Sequence, residues 1–66
     1  MTKRVAFLGL GVMGYPMAGW LSKRGYSVVV YNRTRAVSQR WLSDYAGDAT
    51  ETAADAVAGA EIVFTC

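Results

Sequence analysis

Gly9, Gly11 and Gly14 follow directly on the apolar segment Val5 to Leu8, and few folds place three glycines there. A continuous apolar run that stops at a glycine marks a strand buried on both faces. The next stretch, Val12 to Arg24, reads as a helix, with Met13, Met17, Trp20 and Leu21 recurring at helical spacing along one apolar face. Each glycine inside a helix costs roughly 1 kcal/mol relative to alanine, and a turn alone needs only one. The spacing G-x-G-x-x-G between a buried strand and a helix has another rationale. Gly9 permits the tight turn off the strand. Gly11 leaves its backbone bare for a pyrophosphate, and Gly14 lets the helix pack close to the strands. The unpaired N–H groups and the positive dipole end of the helix then face the phosphates. Pro16 forfeits only the bond its N–H would make to the Val12 carbonyl, a modest loss so near the helix start.

Beyond this helix, Lys23 and Arg24 suit the negative end of its dipole and Gly25 is the expected left-handed cap. The β-branched run Ser27 to Tyr31 is a second buried strand. A second helix is expected from about Ala36 to Tyr45, burying Val37, Trp41 and Tyr45 and ending at Gly47. The two tryptophans and Tyr45 are read as core residues. Gly47 to Thr50 leaves room for a very short third strand. Thr52 caps a short third helix, with Asp55 three residues on in the manner of a capping box, and Gly59 stops it. Glu61 to Thr65 is the last strand, predicted to lie next to the first as an open sheet edge. Strands alternating with helices imply parallel pairing with right-handed crossovers. The expected fold is therefore α/β, a Rossmann-type doubly wound parallel sheet. These 66 residues hold its N-terminal half, β-α-β-α-β-α-β, as part of a larger dinucleotide-binding domain.

A second site is expected where the second strand ends. Folds selective for NAD place an acid there to accept hydrogen bonds from the ribose 2′-hydroxyl. This chain has Asn32, Arg33, Thr34 and Arg35 instead, and Asn32, Arg33 and Thr34 are expected to bind the cofactor. No carboxylate is present to repel a 2′-phosphate, Arg33 offers a forked, charge-assisted contact, and Thr34 adds a hydroxyl. Two cations at a helix start oppose its dipole, a local conflict that favours function. NADP is thus preferred to NAD. Seven Lys and Arg against five Asp and Glu give a net charge of only +2, with no basic stripe for nucleic acid. No apolar run is long enough for a signal peptide or a membrane span, so a cytoplasmic protein is expected. A single cysteine and no histidine exclude an internal disulfide and a zinc site.

The segment "FLGLGVMGYPMAGWL" resembles the N-terminal signature of the β-hydroxyacid dehydrogenases, the family of 3-hydroxyisobutyrate dehydrogenase, related to 6-phosphogluconate dehydrogenase. Gly9, Leu10, Gly11, Met13, Gly14, Met17 and Ala18 match its pattern G-L-G-x-M-G-x-x-M-A, "YNRT" resembles its NADP-type segment, and "AADAVAGAEIVFTC" resembles its third helix and fourth strand. The resemblance implies that Leu10, Val12 and Met13 line the pyrophosphate turn, and that Thr65 and Cys66 approach the cofactor ribose. It further implies hydride transfer to or from small β-hydroxy acids, aldehydes or semialdehydes, in a homo-oligomeric full-length enzyme. The family's acid/base is a lysine on a later helix, and neither Lys3 nor Lys23 matches its context. No catalytic residue is therefore assigned within this segment, which alone is expected to be inactive. An imine reductase shares these motifs, and a dinucleotide-sensing module without turnover is the reading from a different class.

Overall fold

A computed structural model describes residues 3–65. The elements run β1 (Arg4–Leu8), α1 (Gly14–Lys23), β2 (Ser27–Tyr31), α2 (Arg35–Asp44), β3 (Asp48–Ala49), α3 (Ala53–Val57) and β4 (Ile62–Thr65). The strands form one sheet in the order β3-β2-β1-β4. Every pairing is parallel, with Val5 opposite Val28 and Ile62, and Leu8 opposite Tyr31 and Thr65. This is the α/β architecture expected from the alternation of strand and helix patterns. The chain steps outward from β1 to β3 and then returns across the sheet to β4. α1 and α2, which contact each other, lie on one face and α3, which contacts β1 and β2, on the other.

The middle of the sheet is apolar because helices cover it on both sides. Val5, Ala6, Phe7, Val28, Val29 and Val30 are all buried. Trp41 of α2 fills the space between helices and sheet with no exposed surface, and its Nε1–H donates to the Tyr15 carbonyl at 3.3 Å. Val37 of α2 packs against this core as expected, and so does Tyr45, although the helix ends at Asp44 and Tyr45 is its extended C-cap. Gly47 is required by close approach, since a Cβ there would lie 2.7 Å from the Val28 carbonyl oxygen and 2.8 Å from the Trp41 ring. Thr52 caps α3, accepting from the Asp55 N–H at 3.1 Å. β4 forms the edge beside β1. Phe64 stacks on Phe7 at a centroid distance of 4.8 Å, while Ile62 and Val63 stay exposed.

Helix α1 departs from its sequence reading. The expected apolar face does not point inward, because Met13, Met17 and Trp20 are all exposed. The buried residues are Gly14, Ala18 and Gly19, with Leu21 partly buried. Small residues bring the α1 backbone close to its neighbours: a Cβ on Gly19 would fall 2.3 Å from the Tyr45 ring. The bulky residues are left on the outer side. Trp20 is consequently a surface residue, with the Arg24 guanidinium 4.7 Å from its ring centroid. The regular helix also starts at Gly14 rather than Val12; the Tyr15 and Met17 N–H groups donate to the Gly11 and Met13 carbonyls, and Pro16, its third residue, omits only the bond to the Val12 carbonyl between them.

Trp41→Ala removes the largest buried side chain and its bond to α1. The expected loss is about 3 kcal/mol or more of folding stability, read as a lower urea midpoint.

Candidate nucleotide-binding site

At the carboxyl end of β1 the backbone turns sharply. Gly9 adopts φ +100°, a conformation open to glycine, and its N–H donates to the Tyr31 carbonyl at 2.7 Å as the last rung of the β1–β2 ladder. Leu10 then turns into the core, 5% exposed, while Gly11, Val12 and Met13 lie on the surface. Helical bonding begins immediately, with the Tyr15 N–H donating to the Gly11 carbonyl at 3.0 Å. Met13, the N-cap, supplies no side-chain bond, and no acidic residue lies in the first turn of α1. The chain itself therefore does not offset the positive end of this helix.

Gly11 is the informative glycine. Its φ is not positive, and a Cβ built on it would meet nothing within 4 Å. Neither backbone strain nor packing requires glycine there. The bare backbone instead keeps the approach to the turn open.

The turn lies at the switch point of the sheet, between β1, from which the chain winds outward, and β4, to which it returns. Ligands of open α/β sheets bind at such points, outside the carboxyl ends of the strands. Thr65 pairs with Leu8 and so flanks the turn; Cys66 lies outside the described residues.

On the other side, the β2–α2 segment borders two clefts. One, of 410 Å³, is formed by Leu8, Gly9, Tyr31, Asn32 and Arg33; the second, of 340 Å³, runs from Arg33 past Arg35 and Ser38 to Glu51. Arg33 is exposed and borders both, with no ion-pair partner among the described residues. Arg35 differs: its guanidinium pairs with Glu51. The two arginines grouped by the sequence are therefore in unlike electrostatic states. Thr34 is the N-cap of α2 without a side-chain capping bond, so its hydroxyl is not spent on the helix. Asn32 uses its amide within the protein. Its Oδ1 accepts from the Leu10 N–H at 2.8 Å, and its Nδ2 donates to the Thr34 carbonyl at 3.1 Å. The sequence groups Asn32 with Arg33 and Thr34 as cofactor-binding residues; its tie to Leu10, 22 residues away, is not legible there.

A third cleft, of 480 Å³, separates the glycine turn from α2 and is bordered by Leu10, Gly11, Tyr15, Arg40 and Asp44. The Tyr15 hydroxyl donates to the Asp44 carboxylate, and the Arg40 guanidinium lies 5.9 Å from the Tyr15 ring centroid. The bond to Asp44 holds the Tyr15 phenol above its ordinary value, helped by desolvation and by the Asp44 charge and opposed by Arg40. Tyr15 was not singled out from the sequence, where nothing links it to Asp44.

A glycine turn opening onto a helix start at the switch point of a parallel sheet defines a dinucleotide-binding α/β domain. Residues 4–66 match the family model of the NAD binding domain of 6-phosphogluconate dehydrogenase, and the chain belongs to that family. An uncharacterized oxidoreductase of Shewanella frigidimarina is 56% identical over 96% of the chain, which spans 22% of that relative. The NAD-dependent L-serine dehydrogenase of Pseudomonas aeruginosa is 40% identical over 96% of the chain and 21% of its own length. Among solved structures, an imine reductase from Pseudomonas sp. superposes with a TM-score of 0.91 at 27% identity, over 100% of this chain and 23% of that one. The 3-hydroxyisobutyrate dehydrogenase of Mycobacterium tuberculosis gives 0.87 at 33% identity, over 98% of this chain and 22% of that one. The chain thus spans about a fifth of the length of these relatives.

The Tyr15 phenol has a raised value in the folded state. Its contribution to stability is therefore complete below its unfolded value near 10 and is lost as pH rises through the raised one. Asp44→Asn removes the carboxylate that causes the shift. The expected result is a Tyr15 titration moved to lower pH, read from phenolate absorbance in difference spectra against Tyr15→Phe.

Proposed function

We propose that this chain is the cofactor-binding segment of an NADP(H)-dependent oxidoreductase, which transfers a hydride between the nicotinamide and a small β-hydroxy acid, aldehyde or semialdehyde. The observation that carries this reading is Gly11, a glycine that neither the backbone nor the packing requires, set at an uncompensated helix start. A pyrophosphate there accepts hydrogen bonds from the turn's free N–H groups and meets the positive end of α1. Gly9, Leu10, Val12, Met13 and Gly14 shape that turn, and Thr65 borders the ribose of the same cofactor.

Preference for NADP rests on Arg33, exposed between two clefts and without an ion-pair partner among the described residues, at a strand end carrying Asn32 where NAD-selective folds carry an acid. Its guanidinium would take the 2′-phosphate in a forked contact, with the Thr34 hydroxyl as an additional donor. One relative is named NAD-dependent, so the choice between cofactors rests on these local residues. The acid/base and the substrate-binding groups are assigned outside this segment. Imine reduction is the second reading, favoured by the superposition that covers the whole chain. The two share one hydride donor and differ in the bond reduced, C=O or C=N.

Calorimetry on the full-length protein is expected to give NADPH binding at least tenfold tighter than NADH, about 1.4 kcal/mol. Arg33→Ala should erase that difference by weakening NADPH alone. Equal affinities in the unsubstituted protein would overturn the NADP assignment. Gly11→Val should abolish binding of both dinucleotides with an unchanged circular dichroism spectrum, since the added side chain fills space empty of protein. A folded Gly11→Val variant that still binds would reduce Gly11 to a turn residue.

A further inference from the structure

Asn32 holds the two halves of the site together. β1 and β2 pair in register from Arg4 opposite Ser27 to Leu8 opposite Tyr31, and the Gly9 N–H extends the ladder by one bond to the Tyr31 carbonyl. At that point the positive φ of Gly9 swings the backbone out of the sheet. The next N–H, on Leu10, no longer has a strand beside it, although Leu10 itself is buried. The Asn32 side chain takes the place of the missing peptide group, with its oxygen accepting from Leu10 and its NH2 donating to the Thr34 carbonyl. One planar amide thus fixes the glycine turn on one side and the N-cap of α2 on the other. No second acceptor for the Leu10 N–H appears among the described residues.

From this geometry we infer that Asn32 is a positioning residue that sets the glycine turn against the Arg33 segment, rather than a ligand of the 2′-phosphate. The inference rests on the dinucleotide reading of the site. Its chemical basis is the amide's pairing of an acceptor with a donor. A carboxylate in the same place keeps an acceptor for Leu10 but turns its second oxygen toward the Thr34 carbonyl, where two acceptors repel. An aspartate here therefore does more than reject a 2′-phosphate: it releases the α2 cap while leaving the glycine turn held. Alanine releases both, leaving a partly buried N–H without a partner.

The test uses three variants of the full-length protein, Asn32→Ala, Asn32→Asp and Arg33→Ala, with NADPH, NADH and ADP as probes. ADP carries the pyrophosphate but no 2′-phosphate. Asn32→Ala is expected to weaken all three by a common factor of about ten, keeping the NADPH-to-NADH ratio within about twofold. Arg33→Ala is expected to change that ratio and leave ADP binding unchanged. Asn32→Asp should recover most ADP binding relative to Asn32→Ala. Amide exchange gives a readout independent of affinity: the Leu10 N–H should exchange quickly in Asn32→Ala and slowly in Asn32→Asp, against unchanged protection in β2. Loss of NADPH alone in Asn32→Ala, with ADP unaffected, would make Asn32 a 2′-phosphate ligand and overturn the proposal. Unaltered Leu10 exchange in Asn32→Ala would overturn it as well. If the unsubstituted protein binds none of the three probes, the dinucleotide reading fails, whereas the Leu10 exchange still reports on the tie itself.

Discussion

Everything on the ligand-facing side of this molecule follows from where β1 stops pairing with β2. The parallel ladder holds both strands up to Leu8 and Tyr31, and one further bond, from the Gly9 N–H to the Tyr31 carbonyl, holds the chain at the moment it turns. A positive φ at that residue is what converts a buried strand into a helix start within a few residues. Because the turn begins from a strand buried in the sheet, its N–H groups are presented from a rigid base. A parallel sheet makes this economical, since the carboxyl ends of β1, β2 and β4 gather at one edge and their loops share one crevice.

The packing below the turn obeys the same need for closeness. α1 offers glycine and alanine to the interior, so its backbone can approach the other elements, while its bulk sits outside in Met13, Met17 and Trp20. Trp41 supplies from α2 the volume that α1 does not, and its indole N–H links the two helices at Tyr15, the residue after Gly14. The core and the glycine turn are thus mechanically continuous: the side chain that most fills the interior also restrains the first turn of α1. The apolar share of the sequence is only partly absorbed in this arrangement, since Ile62, Val63 and the outer face of α1 remain at the surface.

Charge is distributed with similar selectivity. The start of α2 has two arginines nearby and no acid in its first turn, an arrangement costly to the isolated helix. The Glu51 carboxylate neutralises Arg35 from the β3–α3 turn and leaves Arg33 with its charge available beside the site. An exposed ion pair of this kind adds little to stability, typically less than about 1 kcal/mol, so its importance lies in where it leaves positive potential.

Much of this architecture was legible from residues close together in the chain. Strand runs, the Thr52 cap and the left-handed Gly25 and Gly59 depend on neighbours within a few positions, and each appears where the sequence puts it. The glycine spacing and the order of elements likewise sufficed to identify a parallel sheet of the dinucleotide-binding kind with β4 beside β1. The inner face of α1 was misread because periodicity ranks residues by hydrophobicity, whereas close helix packing selects for small size. Glu51 as the partner of Arg35, Leu10 as the partner of Asn32, and Asp44 as the partner of Tyr15 are 16, 22 and 29 residues distant. Such pairs exist only once the crossovers have brought separate strands and helices together. Local sequence therefore sets the elements and the kind of ligand, whereas the folded chain assigns each polar side chain to the protein or leaves it for the ligand.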